Sequence, residues 1–84
     1  MENEQVKTLI QAGFPDDDIQ VSGDGSHFNA IVVSTKFAEM STVKKQQAVY
    51  ATVTAQITSG EIHALSIKAY TPKEWESAQR LAVR

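Results

Sequence analysis

Two histidines are the residues of this sequence best suited to chemistry. His27 follows a glycine-containing turn, and His63 follows a long segment with helical periodicity. Imidazole binds borderline metals where cysteine is absent, and this 84-residue chain has no cysteine. Two imidazoles are only half of a structural zinc site or a [2Fe–2S] site, because each needs four ligands. Any cluster bound here must therefore take its thiolates from another molecule.

Each histidine taken alone also fits an ordinary structural role, that of a strand-end residue with local hydrogen bonds. Signals for catalysis are weak. Gly23 and Gly25 lie between two predicted strands, so no helix N-terminus follows them to bind a phosphate. Ser26 and His27 are adjacent on a strand and point to opposite faces. The acidic run 16–18 lacks the spacing of a calcium loop and is interpreted as solvated. We expect no enzymatic activity.

The composition predicts one globular domain spanning residues 1–84. Hydrophobic residues make up 42% of the chain and charged residues 21%. The longest apolar runs are far shorter than a membrane span requires. Residues 1–5 are acidic and polar, unlike the basic start of a signal peptide. These features favour a cytoplasmic protein with no membrane association.

Charge is distributed unevenly along the chain. Residues 1–35 contain one lysine against six acids, whereas residues 36–84 contain seven basic residues against four acids. The formal net charge is −2. Such asymmetry is compatible with a basic binding face and also with an ordinary solvated surface.

Hydrophobic periodicity and turn signals define the predicted elements. Helices are predicted over residues 2–12, 36–40 and 42–58 and from Pro72 onward, and strands over 19–22, 27–34 and 61–70. Ser41 and Thr71 are the predicted N-caps of the last two helices. The resulting order αββ(α)αβα indicates an α+β fold with a three-stranded sheet covered by helices on one face.

The same periodicity assigns side chains to faces. The long helix is expected to present one stripe made of Val43, Gln46, Tyr50, Val53 and Ile57. The third strand is expected to carry His63, Leu65, Ile67 and Ala69 on one face and Ile62 on the other. The last helix is expected to use Trp75, Ala78 and Leu81, and Tyr70 with Trp75 is interpreted as packing. If the second and third strands are neighbours, His27 and His63 start them near one end of the sheet.

Several segments together resemble the BolA family. The most specific is the segment from Ile62 to Trp75, with the pattern His-Ala-x5-Tyr-Thr-Pro-x2-Trp. Further similarity lies in residues 32–37 and 43–50, and the short turn before Phe28 resembles the IbaG-like subgroup. The resemblance covers residues 2–76.

The resemblance implies a BolA-like αββααβα fold related to the class II KH domain. It implies a non-catalytic adaptor that binds a monothiol glutaredoxin and shares with it a glutathione-ligated [2Fe–2S] cluster, in iron–sulfur trafficking or assembly and in stress response. The family's C-terminal histidine ligand corresponds to His63. The second ligand lies in the hairpin loop, where His27 is the candidate and Asp24 the alternative. The isolated protein is then expected to hold no cofactor, and the apo form is compatible with a homodimer.

Nucleic-acid binding as a KH-like transcriptional regulator is the alternative function. A KH domain clamps nucleotides with a Gly-x-x-Gly loop, but residues 37–42 contain no glycine. The candidate phosphate contacts are Lys36, Lys44, Lys45 and Lys73. So few contacts predict weak and salt-dependent binding.

Overall fold

The order of elements follows the prediction, with one helix more than expected. The computed structural model describes the backbone of residues 1–82 and the side chains of residues 1–80. Its elements are α1 (Asn3–Gly13), β1 (Asp18–Gly23), β2 (His27–Val33), a 3₁₀ turn (Thr35–Phe37), α2 (Thr42–Tyr50), α3 (Thr54–Ser59), β3 (Ala64–Tyr70) and α4 (Pro72–Ala82). The predicted α+β class is confirmed.

β2 is the central strand of a mixed sheet of order β1-β2-β3. β1 pairs with it antiparallel, from Asp18 opposite Val33 to Gly23 opposite Phe28. β3 pairs with it in parallel, beginning with His27 opposite Ala64. A parallel pair needs a crossover connection, and the segment containing α2 and α3 supplies it. The starts of β2 and β3 therefore lie at the same end of the sheet.

One face of the sheet packs against helices. Alternate residues of β2, such as Phe28 and Val32, are buried with Leu65 and Ile67 of β3. They join side chains from the helices and the loops in a single core, which includes Val6, Ile10, Phe14, Phe37, Val49 and Val53. The intervening strand residues are mostly exposed, among them His27, Asn29, Ala64, Ser66 and Lys68.

The prediction of one helix over residues 42–58 is wrong, because the chain turns between α2 and α3. Val53 has φ −128° and ψ 16°, outside the helical range. The hydroxyl groups of Thr52 and Thr54 donate to the carbonyl oxygens of Val49 and Tyr50, at 2.6 and 3.0 Å. Hydroxyl side chains that bond to the preceding turn bend helices, and β-branched residues reduce helix propensity. The break accompanies complete burial of both Val49 and Val53.

The expected stripe on this segment is also wrong in part. Val53 is fully buried, but Val43 is 64% exposed and Tyr50 and Ile57 remain more than one-third exposed. Val49, which is not one of the stripe residues, is fully buried like Val53. Val43 and Tyr50 lie in α2, before the turn at residues 51–53, and they are exposed because α2 packs against the core through its Val49 side.

β3 begins three residues later than predicted. The Ile62 N–H donates to the carbonyl oxygen of Gln56 at 3.1 Å, which ties residue 62 back to α3. Ile62 is buried, whereas His63 is exposed. The expected assignment of His63 to the face of Leu65 and of Ile62 to the other face is therefore wrong, because neither residue belongs to the strand.

Both predicted N-caps are confirmed. The Ser41 hydroxyl accepts from the Lys44 N–H at 3.2 Å. Thr71 and Glu74 form a reciprocal capping box, in which each side chain accepts from the other residue's backbone N–H. Lys45 of α2 joins this box through a 3.2 Å ion pair with Glu74.

α4 meets the end of β3 through an aromatic pair. The rings of Tyr70 and Trp75 lie 5.4 Å apart at 42°, which confirms their packing role. The side chain of Leu81, predicted to continue the apolar stripe, lies outside the described residues. In the part of the chain that is described, no helix has the length and apolar character needed to cross a bilayer.

Candidate functional site at the start of the parallel strand pair

The parallel pairing of β2 and β3 brings the two histidines to neighbouring backbone positions. His27 is the first residue of β2, and His63 immediately precedes β3. The N–H groups of His63 and Ala64 both donate to the carbonyl oxygen of Ser26, at 3.1 and 3.2 Å. The condition set by the sequence, that the second and third strands are neighbours, is thus met.

A tight turn holds His27 from the other side. One carboxylate oxygen of Asp24 accepts from the N–H groups of Ser26 and His27, at 3.0 and 2.9 Å. The Asp24 N–H donates in return to the carbonyl oxygen of His27 at 3.2 Å. Gly25 completes the turn with φ 98°, a left-handed conformation that glycine adopts without strain. The turn therefore fixes the backbone from which the His27 ring projects.

The two backbone hydrogen bonds to the Asp24 carboxylate favour its charged form. They lower the pKa of its carboxyl group, with the bond from the His27 N–H the larger cause and that from Ser26 next. Its second oxygen lies 3.7 Å from the His27 Nδ1, too far for a hydrogen bond. Asp24 is therefore an anionic turn residue, and backbone N–H groups already occupy part of the hydrogen-bond acceptor capacity of its carboxylate.

The candidate ligands are open to solvent. The side chains of His27 and Asp24 are 69% and 71% exposed, and His63 is also exposed. A second molecule can reach such rings without first opening the core. Within the described residues, no three or more histidine, aspartate or glutamate side chains are gathered into a metal-binding group.

The four candidate lysines are in different situations. The Lys36 ammonium donates to the Gly13 carbonyl oxygen at 3.3 Å and lies 5.1 Å from the Phe14 ring centroid. Lys45 is only 14% exposed and is paired with Glu74. Lys44 and Lys73 are exposed. A phosphate contact by Lys36 or Lys45 would have to replace an intramolecular contact.

The sequence did not predict the two side chains of α2 that hydrogen-bond to the outer edge of β3. Gln46 Nε2 donates to the Ile67 carbonyl oxygen, and the Tyr50 hydroxyl donates to that of Leu65, both at 2.8 Å. These bonds fix the strand that begins next to His63. A signal for these bonds was present in the sequence, because the stripe expected to be apolar includes a glutamine and a tyrosine. Polar groups on a buried stripe need hydrogen-bond partners.

Comparisons with known proteins agree on one family. The family model described as BolA-like protein matches residues 10–74. The chain is 46% identical over 81 residues to the acid stress protein IbaG of Escherichia coli K12, and the alignment covers 96% of each protein.

Solved structures match the same fold. A bolA protein homologue from Coxiella burnetii superposes with a TM-score of 0.80 at 32% identity, covering 90% of this chain and 97% of that one. The BolA domain of SufE1 from Arabidopsis thaliana gives a TM-score of 0.74 at 27% identity, covering 86% and 93%.

Proposed function

Because this chain belongs to the BolA family, we propose that it is a non-catalytic adaptor that shares a [2Fe–2S] cluster with a monothiol glutaredoxin and glutathione. Its role would be cytoplasmic cluster trafficking or assembly linked to stress. The observation that carries the proposal is the adjacency of two exposed histidines whose backbones meet at the Ser26 carbonyl oxygen. The name of the acid stress protein IbaG supports the link to stress.

The donor set of the chain fits one half of such a cluster. A [2Fe–2S] cluster takes four ligands, and in Rieske centres two histidines serve one of the irons. This chain has two histidines and no cysteine. The proposal gives the imidazole half to His63 and His27, and the thiolate half to the glutaredoxin cysteine and glutathione. The cluster would be cargo at the boundary between two proteins, which suits exposed ligands.

Asp24 is the weaker candidate for the second ligand. The same carboxylate oxygen accepts two backbone hydrogen bonds, and these bonds stabilise the turn. Using this oxygen as a ligand would compete with them. Imidazole is also the better ligand for iron, since carboxylate suits harder cations. His27 is therefore the second ligand in the proposal.

Reconstitution with the partner tests the proposal. The full chain is mixed with a monothiol glutaredoxin, glutathione, iron and sulfide, and the complex is isolated by size exclusion. We expect a heterodimer with two irons and two sulfides, as the cluster formula requires. Asn29→Ala is a matched control, because Asn29 is exposed two residues beyond His27 on the same strand. A glutaredoxin that keeps all of its cluster as a separate species in the presence of this chain would refute the proposal.

A further inference from the structure

The two edges of the sheet differ in whether their outward backbone groups have hydrogen-bond partners. At the β3 edge, the outward carbonyl oxygens of Leu65 and Ile67 accept hydrogen bonds from Tyr50 and Gln46 of α2. Such side-chain bonds occupy part of the backbone that a foreign strand would need. β1 forms the opposite edge.

The register shows which backbone groups of β1 point outward. The hydrogen bond from the Asp24 N–H to the His27 carbonyl oxygen identifies this pair as hydrogen-bonded. Hydrogen-bonded pairs alternate along an antiparallel ladder, so β1 bonds to β2 through Asp18, Gln20 and Ser22. The intervening residues are Ile19, Val21 and Gly23. The N–H and C=O groups of these three residues therefore face away from the sheet. Within the described part of the chain, no turn, loop, cap or side-chain hydrogen bond involves them.

The charges at the β1 edge determine which kind of strand can pair with it. Acidic residues lie at both ends of β1: Asp16, Asp17 and Asp18 precede or start it, and Asp24 follows it. A second copy pairing antiparallel about Val21 would place Asp18 opposite the Asp24 of the other copy. Like charges directly opposite each other destabilise a pair of strands. The edge is therefore disfavoured for self-pairing and favourable for a basic strand.

We propose that the β1 edge binds an extended lysine- or arginine-bearing segment of another protein as a fourth, antiparallel strand. Its outward amides would give the main-chain hydrogen bonds, and the terminal aspartates would pair with the basic side chains. Val21 is half-buried and packs against the core, so it offers apolar contact to a side chain on that face. This binding site goes beyond the cluster-sharing proposal and does not depend on it.

A capped peptide of seven alternating lysine and valine residues is a suitable probe. Backbone amide NMR of the full chain is recorded during the titration. We expect the largest shift changes at Ile19, Val21 and Gly23, and about tenfold slower hydrogen exchange of these amides at saturation. The Leu65 and Ile67 amides at the other edge should not change. Shifts centred on β3 or α2 would overturn the proposal.

Two matched probes separate strand addition from simple charge attraction. The same peptide with methylated valine amide nitrogens keeps its charge but loses the hydrogen bonds to the edge. A peptide with glutamate in place of lysine keeps the strand pattern and reverses the charge. We expect neither to bind. Binding of either one as tightly as the first peptide would contradict the proposal, as would β1 amides already protected in a dimer without peptide.

Substitutions on the protein test the charge argument. Asp16→Asn/Asp18→Asn should weaken binding of the lysine peptide by about fivefold at low salt, because two attractive charges are removed. Glu61→Gln/Glu76→Gln removes the same charge at positions before β3 and on α4, and is the control, for which we expect unchanged affinity. Equal effects of the two double variants would overturn the role of the aspartates.

Discussion

The Tyr50 hydroxyl donates a 2.8 Å hydrogen bond to the carbonyl oxygen of Leu65, so a side chain of α2 holds the exposed edge of the strand that starts beside His63. Tyr50→Phe keeps the ring and removes this bond. We expect the free energy of unfolding in urea to fall by about 1 kcal/mol, the net contribution typical of such a bond.

Tyr70→Phe is the control for this substitution, because the Tyr70 ring packs on Trp75 and its hydroxyl has no hydrogen bond among the described residues. A Tyr50→Phe protein as stable as the parent would contradict the role given to the hydroxyl.

Close packing of α1 on the turn between α2 and α3 depends on Gly13. A β-carbon at this position would lie 2.6 Å from Cγ2 of Thr52. The Thr52 hydroxyl is itself bonded to the Val49 carbonyl oxygen, which limits how far that side chain can move. We expect Gly13→Ala to destabilise the protein by about 1–3 kcal/mol, the usual cost of overpacking.

A double-mutant cycle isolates this contact. Thr52→Ser removes Cγ2 and keeps the hydroxyl. In the Thr52→Ser background, Gly13→Ala should become neutral or slightly stabilising, because alanine has the higher helix propensity. Equal destabilisation in both backgrounds would show that Thr52 is not the cause.

The capping box at the start of α4 should make stability depend on pH. The hydrogen bond from the Thr71 N–H, and then that from Lys45, lower the pKa of Glu74 below the usual glutamate value. The native state thus releases this proton more readily than the unfolded state. The stabilisation is therefore complete above the unfolded pKa and is lost as the pH falls through the lowered native pKa.

Denaturation in urea across the acid range checks this sign. When the pH is lowered through that range, the urea midpoint of the parent protein should decrease by more than the midpoint of Glu74→Gln. The two plots of midpoint against pH therefore converge in acid. A constant difference at every pH would contradict the assignment. Glu76→Gln, which alters an exposed pair with Arg80, is the control.

We predict that Asp24 stabilises the turn before β2 and does not bind the cluster. Asp24→Asn keeps an oxygen acceptor for the Ser26 and His27 N–H groups, whereas Asp24→Ala removes it. We expect Asp24→Asn to form the complex and its cluster normally, and Asp24→Ala to lower the unfolding midpoint. Loss of the cluster in a folded Asp24→Asn protein would make Asp24 the ligand instead of His27.

Local signals in the sequence were sufficient for much of the fold. The glycine turn before His27 and the caps at Ser41 and Thr71 depend on a few neighbouring residues, and each is found where it was expected. The order of the elements follows from such signals.

Tertiary contacts decided the features that were not predicted. The turn at Val53 combines β-branched propensity with burial of Val53 in the core, and a helical wheel contains no information about that tertiary environment. The start of β3 is set by the hydrogen bond between Ile62 and Gln56. The parallel pairing that brings His63 beside Ser26 joins residues far apart in sequence. From the sequence, the proximity of the two histidines could therefore be predicted only if the second and third strands were neighbours.

Visible circular dichroism of the complex with a monothiol glutaredoxin and glutathione tests the central claim most directly. Bands of the shared [2Fe–2S] cluster should be present with the parent chain and Asn29→Ala, and lost with His63→Ala. His27→Ala should lose or strongly alter them, since it removes the other imidazole. A spectrum with both histidine variants identical to that of the parent complex would contradict the account.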